Sequence, residues 1–352
     1  MSKRNPYVEN PDHTFWGLAI SDRAVGEIDP ATGLDLFQIS PNDAVMTMGS
    51  CFAQHVSKKL SNQGLNFLVT ENHPEGTPYN HDFGYGVFTA RYGNIYTIAQ
   101  SIQLLKRCIG EYEEPGDVWM HKNNWIDSFR PRAVPGGFQS EKALLADREI
   151  HLEATLNAFK TAKVLVFTLG LTEGWKNTET GQVYSVAPGV AGGEYNPNVH
   201  KPFNMSVSEC IGGLREMVGI LRSINPTLKI ILTVSPVPLA ATHSNNHVLT
   251  ATFSSKAKLR VAAEEISDTD VGINYFPSFE IIQGLAQSGG YFKHDLREVE
   301  SRGVNHVMRI FLEHYFGNLK NYKLDANPSL SSQDKQNAGI LCDDDLLIET
   351  QY

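Results

Sequence analysis

Apolar positions in this chain fall into two alternating patterns, short continuous runs and longer stretches at helical period. The runs are AVMTMG (44–49), LNFLVT (65–70), KVLVFTLG (163–170), LKIILTVS (228–235) and VGINYF (271–276). Their Val, Ile, Leu and Phe content suits strands covered on both faces. Between them the spacing predicts helices over Cys51–Asn62, closed by Gly64, then Ile95–Ile109, Glu141–Lys160, Ser206–Ile224 and Ser254–Ile266. A last helix is predicted over about Gly303–Phe316. Such alternation predicts an α/β fold with a five-stranded parallel sheet, the run 163–170 most central. Residues 72–140, between the second and third runs, exceed what a crossover needs and read as an insertion over one edge of a site. Its aromatic residues (79–130) fit either an acceptor pocket or a small satellite core. Residues 1–320 read as one domain without internal repeats, and 321–352 as a polar, acidic tail that is exposed or disordered.

Composition narrows the function classes. At 352 residues and 41% hydrophobic, the chain has material for one substantial core. A net charge of −9, without a basic stripe interleaved with aromatics, argues against a nucleic-acid partner. The start, MSKRNPYVENPDHTFW, lacks the apolar segment of a signal peptide, and no apolar run approaches the roughly 20 residues of a membrane span. A cytoplasmic protein is expected. Cys51, Cys108, Cys210 and Cys342 are widely separated, with neither C-x-x-C nor paired Cys/His spacing, so free thiols are expected rather than zinc or disulfides. Nothing calls for a cofactor, and the oligomeric state is not legible.

The chemistry concentrates at Gly49-Ser50-Cys51, where a strand runs into a helix. The first N–H groups of a helix lack intrahelical partners and point at the turn. Ser50 can cap the helix, an interaction of about 1 kcal/mol. Alternatively it is a nucleophile, its oxyanion held by the N–H of Ser50 or Cys51 and the positive helix end. Cys51 could itself attack, because helix N-termini lower thiol pKa. Ser50 is preferred, since the turn residue presents its side chain outward while the next one begins the helix.

These residues carry a resemblance. GSCFAQH (49–55), ARYGNIYT (90–97), FRPRAVPGG (129–137), TLGLTEGW (168–175), LTVSPVPLAATH (232–243), SSKAKLR (254–260) and YFPSFEII (275–282) together resemble the GSCFA family, a branch similar to the SGNH/GDSL hydrolases. The resemblance spans roughly residues 5–316. It implies a flavodoxin-like three-layer α/β/α sandwich with Ser50 as nucleophile. In the wider group a glycine N–H and an asparagine side chain complete the oxyanion hole. Gly93 matches the glycine; Thr172 stands in place of the asparagine, and Asn94 is the substitute donor inferred here, although YGN also reads as a plain turn.

The wider group takes its base from a late D-x-x-H block. Asp295 matches the Asp, but Glu298 stands where the histidine belongs. His294 could swing in, or Glu298 could accept the proton with a pKa raised by burial. His306 is a weaker candidate, and His55 reads as structural. Glu173, beside Trp175, could orient a substrate hydroxyl or cap the next segment. His243 could contact substrate at the carboxyl edge of the sheet. With His247 it has the spacing of a metal pair but no third ligand. Lys256 could hold an anionic substrate group or lie on a solvated helix face. The expected activity is a serine esterase or O-acyltransferase on a small acyl ester or acylated glycan. Against it stands a binding protein that keeps the fold and has lost its base. A nucleotide-binding domain using the Gly49 turn is weaker, because neither G-x-G-x-x-G nor G-x-x-x-x-G-K-[ST] occurs there.

Overall fold

A computed structural model describes residues 5–74, 81–112, 117–284, 290–317, 340, 341 and 343. In chain order the strands are β1 (Val45–Gly49), β2 (Val118–His121), β3 (Asn124–Asp127), β4 (Val164–Leu169), β5 (Glu173–Asn177), β6 (Val183–Tyr184), β7 (His200–Asn204), β8 (Lys229–Val234) and β9 (Ile273–Tyr275). The helices are α1 (Ala53–Asn62), α2 (Ile98–Cys108), α3 (Glu141–Thr161), α4 (Val207–Ile224), α5 (Val248–Ser267), α6 (Ser278–Gln283) and α7 (Ser301–Phe316). Strands β1, β4, β8 and β9 form a parallel sheet in the order β1-β4-β8-β9. The sheet therefore has four strands among the described residues, not five. The run 65–70 contributes a single parallel bridge, Val45 to Phe67, on the outer edge of β1. Its backbone turns away at once, with Thr70 N donating to Thr89 O instead.

The period-two alternation of the strands explains the layers. Met46, Met48, Leu165, Phe167, Leu169, Ile230, Leu232 and Val234 point to one face, where Leu104 and Leu105 of α2, Leu214 and Met217 of α4 and Leu259 of α5 cover them. Val45, Val164, Val166 and Ile231 point to the other, under Val56 and Leu60 of α1 and Val307, Ile310 and Phe311 of α7. Helices thus cover both faces. The long segment after the first crossover is partly integral to this arrangement, since α2 is one of those covering helices. Its hairpin β2–β3 instead packs Trp119 and Ile126 on Tyr184 and Val186. Of the aromatic residues there, Trp119 joins this satellite core, whereas Phe88 and Tyr92 belong to the main core and, with Phe129, line a small chamber. The third sheet, β6-β5-β7, is antiparallel and continues from the carboxyl end of β4.

Candidate active site

Three segments converge at the carboxyl end of β1. Gly49 pairs with Thr168 and has φ +133°, a conformation L side chains rarely adopt. A Cβ there would lie 2.2 Å from the Thr168 carbonyl oxygen, so only glycine lets β1 turn this close to β4. Gly170 is similarly confined: a Cβ would sit 2.9 Å from Tyr96 O and 3.1 Å from the Ser50 Cβ. The third segment is pinned by Ile95 N donating to Gly49 O and Leu171 N donating to Tyr96 O, each at 2.8 Å. A capping box at the start of α2 fixes it further, with Gln100 Oε1 accepting from Tyr96 N and Thr97 N.

Ser50 occupies the centre of this arrangement and is 3% exposed. Its Oγ has no hydrogen-bond partner among the described residues. It does not cap α1, whose N-cap is Phe52 and has no side-chain cap. Its backbone N–H is spent on Thr168 O at 3.0 Å, which removes it as an oxyanion donor. Thr168, Ser185 and Tyr315 also have buried hydroxyls without partners. What sets Ser50 apart is its place at the carboxyl edge of a parallel sheet, where ligands of such folds bind. Cys51 is buried and lines a cleft of about 610 Å³ with His55, Lys58, Lys59, Lys293, Arg297 and Glu298.

On the other side, Gly93 and Asn94 line a small chamber of about 20 Å³, room for one water. Asn94 is buried, and both hydrogens of its amide are taken by the end of the chain. Nδ2 donates to Leu341 O at 2.9 Å and to Asp343 Oδ2 at 3.3 Å. Gln54 on α1 holds the same carbonyl, its Nε2 donating to Leu341 O at 2.6 Å and to Asn94 Oδ1 at 3.1 Å. In return Leu341 N donates to Gln54 Oε1 at 2.9 Å, and Asp343 N donates to Tyr96 Oη at 3.0 Å. An acidic tail was expected to be exposed or disordered. Leu341 and Asp343 instead dock at the site, and Asp343 is 4% exposed.

The candidate bases are not gathered around Ser50. His294, Asp295 and Glu298 are all exposed. Asp295 Oδ1 accepts from Arg297 N and Glu298 N at 3.0 and 3.1 Å, so it staples its own turn. Glu298 forms an ion pair with Lys293 and is exposed, not buried as expected. His306 has both ring nitrogens committed, to Tyr291 Oη at 2.8 Å and to Ile28 O at 2.9 Å. His55 stacks on Phe52; desolvation, then Lys58 and Lys293, lower its pKa to about 4. A neutral imidazole therefore stands with Cys51 in the wall of the cleft.

The remaining predicted contacts serve other partners. Lys256 is neither on a solvated face nor exposed to substrate: it is buried, with Nζ donating to Gly170 O at 2.7 Å. Thr172 is held by Ser255 Oγ and Asn204 Oδ1. Glu173 accepts from Thr242 Oγ1 at 3.0 and 2.9 Å, restraining the loop after β8. Trp175 meets Tyr195 and His243 edge-on, with centroids 5.6 and 4.8 Å apart. His247 is the N-cap of α5, its Nδ1 accepting from Leu249 N.

The sequence signature of the GSCFA family matches residues 44–311, which include the elbow, the Asn94 loop and the turn that follows β9. The chain belongs to the GSCFA family. Among curated proteins, none matches it. Among solved structures, a candidate GDSL-like lipase from Parabacteroides merdae ATCC 43184 is similar at 12% identity and a TM-score of 0.33, covering 79% of this chain and 98% of its own. No helix among the described residues is long and apolar enough to cross a membrane.

Two motifs of this GSCFA chain also supply a buried ion network that sequence reasoning missed. Arg91 bonds Glu71 at 3.0 Å and Asp147 at 2.7 Å. Arg130 bonds Asp127 and Asp147, each at 2.7 Å, and Arg148 bonds Asp127 at 2.9 Å. Burial alone would raise the Glu71 pKa, yet the hydrogen bond from His151 and the charges of Arg130 and Arg91 hold it at about 2. His151 is itself pushed down to about 4 by desolvation and then by Arg130. The network backs the chamber, which Arg91, Arg130 and Arg132 line.

Proposed function

We propose that this protein is a serine-dependent acyl-ester hydrolase or O-acyltransferase working through an acyl-Ser50 intermediate. The carrying observation is the buried Ser50 hydroxyl, without a partner among the described residues, at the carboxyl edge of the sheet, on the elbow whose Gly49 carbonyl is bonded by Ile95 N, the residue after Asn94. Leaving a buried hydroxyl unbonded costs roughly 1–3 kcal/mol, a cost that functional sites tolerate. Ser50 Oγ attacks the ester carbonyl as a base takes its proton. Asn94 Nδ2, freed from Leu341 O, and the N-terminal end of α1 hold the oxyanion; Gly93 is proposed as the backbone donor and Cys51 as another. Collapse expels the alcohol with that proton, and water or a second hydroxyl then releases the acyl group. The base comes from the segment of His294, Asp295 and Glu298, of which Glu298 lines the same cleft as Cys51. Trp175 and the exposed ring of Tyr195, near Glu173 and His243, offer a stacking face suited to an acylated carbohydrate.

A second reading, a ligand-binding protein without catalysis, is favoured by the absence of any described base bonded to Ser50 Oγ. Intact-protein mass spectrometry after fluorophosphonate treatment separates the two. One adduct on wild type, lost in Ser50→Ala, supports the enzyme, and loss in His294→Ala or Glu298→Gln names the base. An unlabelled wild type supports the binding protein.

A further inference from the structure

The chain carries a net charge of −9, yet the two cavities lined by Cys51 and by Asn94 are walled by cations. Lys58, Lys59, Lys293 and Arg297 line the cleft on the Cys51 side, with Glu298 the one lining carboxylate among the described residues. Arg91, Arg130 and Arg132 line the chamber on the Asn94 side, where Asp343 is the one lining carboxylate among the described residues. Arg91 and Arg130 are held rigid by Glu71, Asp127 and Asp147, but the network does not use every donor. Arg130 Nη1 and Ser185 Oγ, both buried and both on chamber residues, have no partner among the described residues.

A carboxylate is costly to bury unless its surroundings bond it. Asp343 nevertheless lies 4% exposed, its Oδ2 on Asn94 Nδ2. The neighbouring Leu341 carbonyl accepts from Asn94 and Gln54, as the carbonyl of a bound acyl compound would. The docked segment is thus a ligand of known chemistry: a carbonyl at the amide donors and a carboxylate beyond it. We infer that the chamber beside Asn94 is a subsite for a carboxylate of the ligand, occupied in this structure by the chain's own Asp343. That this ligand is the ester attacked by Ser50 rests on the reading above. The preferred substrate is then an acid, its carboxylate replacing that of Asp343 and its second oxygen meeting the donors of Ser185 and Arg130.

The test is calorimetric titration of the full-length chain, wild type and Asp343→Ala, with N-acetyl-aspartate, using N-acetyl-asparagine as the uncharged control. The expected result is that Asp343→Ala binds the acid at least tenfold more tightly than wild type does, and at least tenfold more tightly than it binds the amide. Adding Arg132→Gln should reverse much of that gain. Equal affinity for acid and amide, no gain on removing Asp343, or no binding to Asp343→Ala would overturn the subsite. The titration needs no reaction, so it can succeed while Ser50 proves unreactive, and fail while Ser50 labels.

Discussion

At the scale of single residues, the geometry around Ser50 is fixed by neighbours that cannot be changed cheaply. Gly49→Ala places a methyl against the Thr168 backbone at a positive φ, so a loss of roughly 2–4 kcal/mol in denaturant unfolding is expected. Lys256→Met leaves the Gly170 carbonyl with its ammonium donor removed; about 1–3 kcal/mol of stability should go. The same variant should label more slowly at Ser50, because Gly170 packs on the Ser50 Cβ. The place of Ser50 at the end of a strand was legible in its motif. That of Lys256 was misjudged, because a lysine in a helix ordinarily seeks water. Only the position of α5 over the end of β4 shows that its ammonium replaces solvent at a buried carbonyl.

At the scale of elements, alternation and helical period were enough to place most of the architecture. Four of the five apolar runs are strands of one parallel sheet, and the predicted helices recur within a few residues. The run 65–70 failed as a strand because, beyond Leu68, its backbone finds partners at Thr89 rather than along β1. Leu232, buried in the inner strand β8, should cost about 2–5 kcal/mol when cut to alanine, measured by urea unfolding. The docking of Leu341 and Asp343 within the tail was not legible at all. Its acidic, polar composition reads as solvated, and its partners Gln54, Asn94 and Tyr96 lie more than two hundred residues earlier in the chain. Since it consumes both hydrogens of the Asn94 amide, Asp343→Ala should raise the rate of Ser50 labelling; an unchanged or lower rate would show that the tail does not obstruct the site.

For the whole molecule, buried ionisable groups set a direction for acid stability. The folded pKa of Glu71, about 2, lies below its ordinary 4.5, so its contribution is present above pH 4.5 and lost as pH falls towards 2. His55 and His151 sit near 4 against an ordinary 6.5, so the unfolded chain gains protons first and stability falls from about pH 6.5 towards 4. Unfolding midpoints measured across that range should drop with pH, and His55→Asn should flatten the upper part of the curve. The charged network also frames the functional claim, because it fixes Arg91 and Arg130 in the wall of a chamber that opens beside the Asn94 amide. That claim stands or falls on the reactivity of one hydroxyl. Peptide mapping of fluorophosphonate-treated protein, wild type and Asp343→Ala, tests it most directly. The account expects a single adduct on Ser50 in both; no adduct in either, or an adduct only at another residue, would contradict it.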